Sequence, residues 1–148
     1  MSRKTVQFVG PSFSQTEQLI PTTWANFKSY FENKSQQPDA WEWLPPAQKA
    51  PMSFEEYAKL VDFSADVLAL SYLVWNHELV RQIGIKYKQE NPNGFVITGG
   101  PDVAYKRPKW VLENQYIDAH IPLDGERSIT NVLDSLHNGE DISKHPGL

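Results

Sequence analysis

At 148 residues the chain has room for one domain with one hydrophobic core. Hydrophobic residues at 40% and charged residues at 22% exclude a disordered segment, no apolar run nears the ~20 residues of a membrane span, and a formal charge of -4 with scattered Lys and Arg excludes the clustered basic face of a nucleic-acid binder. The absence of cysteine removes disulfides, a Cys nucleophile, thiolate zinc and a Cys-held iron–sulfur cluster, and the four histidines His77, His120, His137 and His145 contain no i, i+4 metal-binding pair.

The basic N-terminus, Met1 to Thr5, leads into a strand without a signal-type apolar core, so a cytoplasmic location is expected. Val6 to Val9 predicts a first strand, broken at Gly10-Pro11 and followed by a polar loop containing Ser12, Ser14 and Thr16. Pro21 suits the first turn of a helix on which Trp24, Phe27 and Tyr30 or Phe31 recur at helical spacing. Trp41-Glu42-Trp43-Leu44 alternates like a short edge strand, which Pro45-Pro46 ends. A capping box, Ser53 to Glu56, opens the next helix, with Tyr57, Leu60 and Val61 on its apolar face.

The run Val67 to Leu70 is apolar without alternation, as is Phe95 to Ile97, and a helical segment with Leu79, Ile83 and Tyr87 lies between them. Such runs belong to central parallel strands buried on both faces. A right-handed crossover brings both strand ends to one rim, so the loop Ser71 to Asn76 and the turn Gly99-Gly100-Pro101 are expected side by side. Pro108 starts a short helix carrying Trp110, and Ile117 to Ile121 predicts the last strand. The closing helix opens at Asp124-Gly125-Glu126, carries Ile129, Val132, Leu133 and Leu136 at i, i+3, i+4 and i+7, and ends at Gly139. Residues 1–139 are thus expected to form the domain, with 140–148 a linker start or C-terminal tail. Strand and helix alternate in a doubly wound, flavodoxin-like α/β pattern: a five-stranded parallel sheet of order 2-1-3-4-5, helices on both faces, and a ligand crevice where the order reverses.

The ordered set Ser71, Tyr72, Leu73, Val74, Trp75, Asn76, then Gly99-Gly100-Pro101-Asp102-Val103, Gly125-Glu126 and Leu136 to Ile142 resembles the cobalamin-binding domain that precedes the barrel in class B radical S-adenosylmethionine (SAM) enzymes. Residues 64–148 carry this resemblance, and residues 1–60 share only the strand–helix pattern. It implies cobalamin as cofactor, bound base-off with its nucleotide tail buried at the sheet edge. Ser71 and the side-chain-free Gly99 and Gly100 would face that tail, Tyr72 to Asn76 would lie under the corrin with Trp75 shielding its lower face, and Gly125 would offer backbone amides. Each motif also has a plain reading, since Gly-Gly-Pro makes ordinary turns, Ser71 can cap a strand end, and Glu126 suits a helix N-terminus without any ligand.

The Asp-x-His-x-x-Gly motif that gives other cobalamin domains an axial histidine is absent between Gly10 and Ile20, so no protein ligand to cobalt is expected; His77 is a minor candidate. Lacking cysteine, the chain alone cannot carry the radical half-reaction. The resemblance implies a radical SAM barrel in cis or in trans as partner, in a system that transfers methyl groups. Two alternatives share the fold: an FMN- or nucleotide-binding domain using Ser12, Ser14 and Thr16, and a non-catalytic receiver-like interaction domain. A receiver needs an acidic cluster and a phosphorylatable Asp after its third strand, where this chain has Ser71-Tyr72.

Overall fold

The computed structural model describes residues 2–11, 22–50, 52–103, 108–122, 124–145 and 148. Its elements run β1 (Lys4–Val9), α1 (Thr22–Lys34), β2 (Trp41–Trp43), α2 (Phe54–Ala58), β3 (Val67–Ser71), α3 (His77–Glu90), β4 (Phe95–Gly99), α4 (Pro108–Glu113), β5 (Ala119–His120) and α5 (Gly125–Asn138). All neighbouring strands are parallel and the sheet order is β2-β1-β3-β4-β5, the order expected for a five-stranded doubly wound domain. Among the described residues no helix is long and apolar enough to cross a membrane.

Alternation along each strand divides the core in two. Val9, Leu68, Leu70 and Val96 pack with Tyr57, Ile83 and Tyr87 beneath α2 and α3. Val6, Phe8, Ala69 and Ile97 pack on the other face with Phe31, Ile129 and Leu133 from α1 and α5. The double burial explains the unbroken apolar runs of β3 and β4. Gln7, pointing into the first face, is fully engaged: its Nε2 donates to the Pro45 and Leu60 carbonyls, both at 3.0 Å, and its Oε1 accepts from Asp62 N at 2.8 Å.

Local signals act where expected. The Ser53 hydroxyl caps α2 by accepting from Glu56 N at 3.3 Å, and Gly139 ends α5 in the left-handed conformation. Trp41 and Trp43 are buried at the sheet edge, Trp43 against Phe31 with ring centroids 5.8 Å apart, so they fill the core there. The last strand is shorter than expected. Only Ala119 and His120 are in regular ladder positions, although Asp118 N and Ile121 N still donate to the β4 carbonyls of Val96 and Thr98. The tail residues Ile142–Lys144 form a 3-10 turn near α5, where Ser135 Oγ bonds His145 Nε2 at 2.6 Å.

The two central loops are stitched together. Tyr72 N donates to Gly99 O at 2.8 Å and Asp102 N to Tyr72 O at 3.3 Å. Between them Gly100 has a φ of 110°, and a Cβ there would stand 2.3 Å from the Tyr72 carbonyl oxygen. Gly100→Ala is therefore expected to cost more than about 2 kcal/mol, through strain and collision together. Gly139→Ala, also left-handed but with nothing within 4 Å of the added methyl, should cost only about 1 kcal/mol. Denaturant unfolding of the two variants checks the order; equal losses would contradict this reading of the turn.

Candidate functional site

Parallel register brings three strand ends to one level. Ser71 of β3 pairs with Gly99 of β4, and Val9 pairs with Leu70, so one step further Gly10 stands beside Ser71. A Cβ on Gly10 would lie 3.1 Å from the Ser71 Cβ. By strand alternation Gly10, Ser71 and Gly99 all project to the α1/α5 face, one layer above Phe8, Ala69 and Ile97. A row of residues with almost no side chain therefore crosses the centre of the sheet at its C-terminal rim.

Above that row is a cleft of about 500 Å³. Its floor is the sheet, one wall is Phe27 and Thr23 of α1, and the other is Ile129 with the N-terminal residues Asp124, Gly125 and Glu126 at the start of α5. Leu73, Trp75, Gly100 and Pro101 form the rim. A Cβ at Gly125 would strike the Phe27 ring at 2.8 Å, so this glycine sets how closely α5 approaches α1. A void of this size in a sheet centre forgoes about 1.5–3 kcal/mol for every large apolar side chain that would otherwise be buried there.

The expected contacts separate by strand geometry. Ser71, Leu73, Trp75, Gly99, Gly100, Pro101, Gly125 and Glu126 line the cleft. Ser12 and Ser14 lie outside the described residues. Tyr72, Val74 and Asn76 are placed elsewhere, each for a physical reason. Tyr72 follows Ser71 in the alternation and so points to the opposite face, fully buried, with its hydroxyl bonded to that of Tyr116. Burial foremost, and then the neighbouring Tyr116, hold its pKa far above the ordinary phenol value, so it stays a neutral hydroxyl. Asn76 is a buried strut: its Oδ1 accepts from Leu73 N at 2.8 Å and its Nδ2 donates to the carbonyls of Ser71 at 3.1 Å and Pro11 at 3.3 Å. Val74 is 77% exposed at the loop tip, outside the cleft.

His77 begins α3 and does not line the cleft. Its Nδ1 is paired with the Asp102 carboxylate, and its ring packs edge-on against Tyr72 and Trp110 at 4.9 and 6.4 Å between centroids. Among the described residues no group of three or more His, Cys, Asp or Glu side chains is arranged to hold a metal.

Several lining residues escaped the sequence reading. Gly10 looked like a strand break, and its partnership with Ser71 and Gly99 exists only in the register. Ala69, small among large neighbours in β3, was the one legible hint. Gln48 was missed altogether. It lines the cleft, and its Oε1 is buried with no hydrogen-bond partner among the described residues, a state that costs about 1–3 kcal/mol.

The fold and cleft define a flavodoxin-like α/β domain with a ligand-sized opening at the switch point of its sheet. No known family profile matches the chain. Over 113 residues, 70% of this chain, it is 28% identical to a 2-(S-pantetheinyl)-carbapenam-3-carboxylate methyltransferase of Streptantibioticus cattleyicolor. Over 84 residues, 56% of this chain, it is 31% identical to the cobalamin-dependent radical SAM methyltransferase TokK of Streptomyces tokunonensis. The chain spans only 17% and 12% of those two proteins. Among solved structures, the BeF3-activated DrrB receiver domain superposes with a TM-score of 0.50 over 97% of this chain and 100% of the receiver, at 12% identity, a likeness of fold alone.

The buried Tyr72–Tyr116 pair offers a test of how the loop is held. Replacing either Tyr by Phe leaves the other hydroxyl unsatisfied and should cost about 1–3 kcal/mol. Replacing both should cost less than the sum of the single losses. Additive losses in a double-mutant cycle would contradict the coupling.

Proposed function

We propose that this chain is a cobalamin-binding module of a radical SAM methyltransferase-like system, holding the cofactor base-off with its nucleotide tail in the cleft between the sheet and helices α1 and α5. The observation that carries the reading is the row Gly10, Ser71 and Gly99, which leaves an opening of about 500 Å³ over a mainly apolar floor. A flat aromatic base with a ribose and phosphate needs this combination: apolar surface for the ring, and hydroxyl and backbone groups for the polar part. The partial sequence similarity to TokK, a cobalamin-dependent radical SAM methyltransferase, supports the same choice of ligand, and the similarity to the carbapenam carboxylate methyltransferase supports a part in methyl transfer.

Each group in the cleft then has a task. Ser71 offers its hydroxyl to the tail from the end of the central strand. Gly10 and Gly99 keep the floor open. Leu73 and Trp75 present apolar surface at the rim, where the corrin lower face would rest, and the amides at the start of α5 face the same space. When bound, cobalamin supplies a carrier for methyl transfer. With no cysteine in the chain, a cluster-bearing radical SAM domain in cis or in trans must supply the radical chemistry. His77, held by Asp102 outside the cleft, would not serve as a ligand to cobalt bound there.

A flavin-binding domain is the runner-up, because the same apolar cleft would accept an isoalloxazine ring. The receiver alternative receives no chemical support, since Ser71 stands at the end of the third strand and no group of three or more acidic or His side chains able to hold a metal occurs among the described residues.

Mixing with hydroxocobalamin should give a saturable, base-off absorbance change; no change, or flavin released from the denatured purified protein, would contradict the proposal. Bound cob(II)alamin should show no nitrogen superhyperfine splitting in its EPR spectrum, and a histidine triplet would contradict the tethering of His77. Gly99→Leu fills the central row and should weaken binding by at least about tenfold, equivalent to about 1.4 kcal/mol of lost fit. Unchanged affinity in a folded Leu variant would move the tail out of the cleft.

A further inference from the structure

We infer that Gln48 is a specificity-determining residue, whose side-chain amide hydrogen-bonds a hydroxyl on the ribonucleotide portion of the bound tail. The inference rests on the cobalamin reading and goes beyond it, since neither the resemblance nor the sequence pattern points to residue 48.

Three observations carry it. First, the backbone around Gln48 is fixed. Beyond β2 the chain returns to β1, where Ala47 N donates to Phe8 O at 2.9 Å and Gly10 N donates to Ala47 O at 3.1 Å. The Val9–Ala47 bridge continues the parallel ladder, and the Tyr57 hydroxyl also donates to the Ala47 carbonyl. Second, alternation directs the side chain. Ala47 is buried with Val9 in the core under α2 and α3, so Gln48 turns to the α1/α5 face, where it lines the cleft close to Gly10. Third, its Oε1 is buried and has no partner among the described residues, in contrast with Gln7, whose amide is bonded at both ends.

A fixed backbone with a buried, unpaired amide oxygen at the edge of the cleft is an acceptor waiting for a donor. Apolar surface selects the size and flatness of a ligand but not its polar groups, and a placed amide rejects ligands that leave it unpaired. The aromatic part of the tail is served by Phe8, Phe27 and Ile97. Its ribose hydroxyls are neutral donors that cobalamin has and a corrinoid without the nucleotide lacks. Rotation of the carboxamide by half a turn presents N–H at the same position, so the hydroxyl remains a fitting partner in either orientation.

Equilibrium titrations of the folded chain with cobalamin and with cobinamide, the corrinoid lacking the nucleotide, test the inference. Gln48→Leu keeps the bulk and removes the amide. It should weaken cobalamin binding roughly 5- to 20-fold, the usual range for one neutral hydrogen bond whose ligand donor is left unpaired, while cobinamide affinity stays within about twofold. Gln48→Met replaces the Leu variant if that one does not fold. Cobalamin affinity unchanged in the Leu variant, or an equal loss for both corrinoids, would overturn the role of Gln48 while leaving cobalamin binding intact. A wild-type chain that binds neither corrinoid would overturn the parent reading and this one together, and the wild-type titration alone separates that outcome from the others.

Discussion

Everything at the candidate site depends on parallel pairing between β1, β3 and β4. In a parallel ladder each strand keeps its phase relative to its neighbour, so residues at matched positions project to the same face at the same height. Because Ser71 pairs with Gly99 and Gly10 falls next to Ser71, the minimal side chains stack their vacancies into a single opening. A slip of one residue in any strand would turn that position to the α2/α3 face and close the cleft. The double hydrophobic core fixes the register: Leu68, Leu70 and Val96 are buried on one side, and Phe8, Ala69 and Ile97 on the other.

The loops above the sheet are built to hold still. Asn76 bonds the Ser71 carbonyl and the Leu73 amide of its own loop, Tyr72 plugs the far side through its bond to Tyr116, and the Gly100 turn lies directly on the Tyr72 backbone. The loop thus divides its labour by alternation. Tyr72 and Asn76 hold it, leaving Ser71, Leu73 and Trp75 on the cleft side. Such preorganisation lowers the ordering cost of binding. It also accounts for why residues resembling a ligand-binding motif are not all ligand contacts: some of the motif is scaffold for the rest.

Much of the fold was legible in the sequence because its signals are local. The unbroken apolar runs of β3 and β4, the Ser53 cap, the Gly139 stop and the i, i+3, i+4, i+7 stripe of α5 each state their own structure. The alternation of strand and helix indicates a parallel doubly wound sheet, and 2-1-3-4-5 is the default order for five strands. The site was legible only in part. Ser71, Gly99 and Gly125 were visible as small or polar residues at element ends, but their common level depends on register, which no single stretch encodes. For the same reason Gly10 read as punctuation and Gln48 carried no signal, although both reach the cleft through pairing with segments far away in sequence. Tyr72 points away from the cleft, against Tyr116, because strand alternation persists into the first residues of the loop and sends neighbours to opposite sides.

The central claim is that a cobalamin tail occupies the space over Gly10, Ser71 and Gly99. An amide-resolved NMR titration with diamagnetic hydroxocobalamin addresses it most directly, because it reports where on the fold the ligand sits. The largest shifts are expected at Gly10, Ser71, Gly99 and Gly125, with Arg81, Lys88 and the rest of the α3 surface unmoved. Shifts concentrated on α2 to α4, or none at saturating ligand, would contradict it.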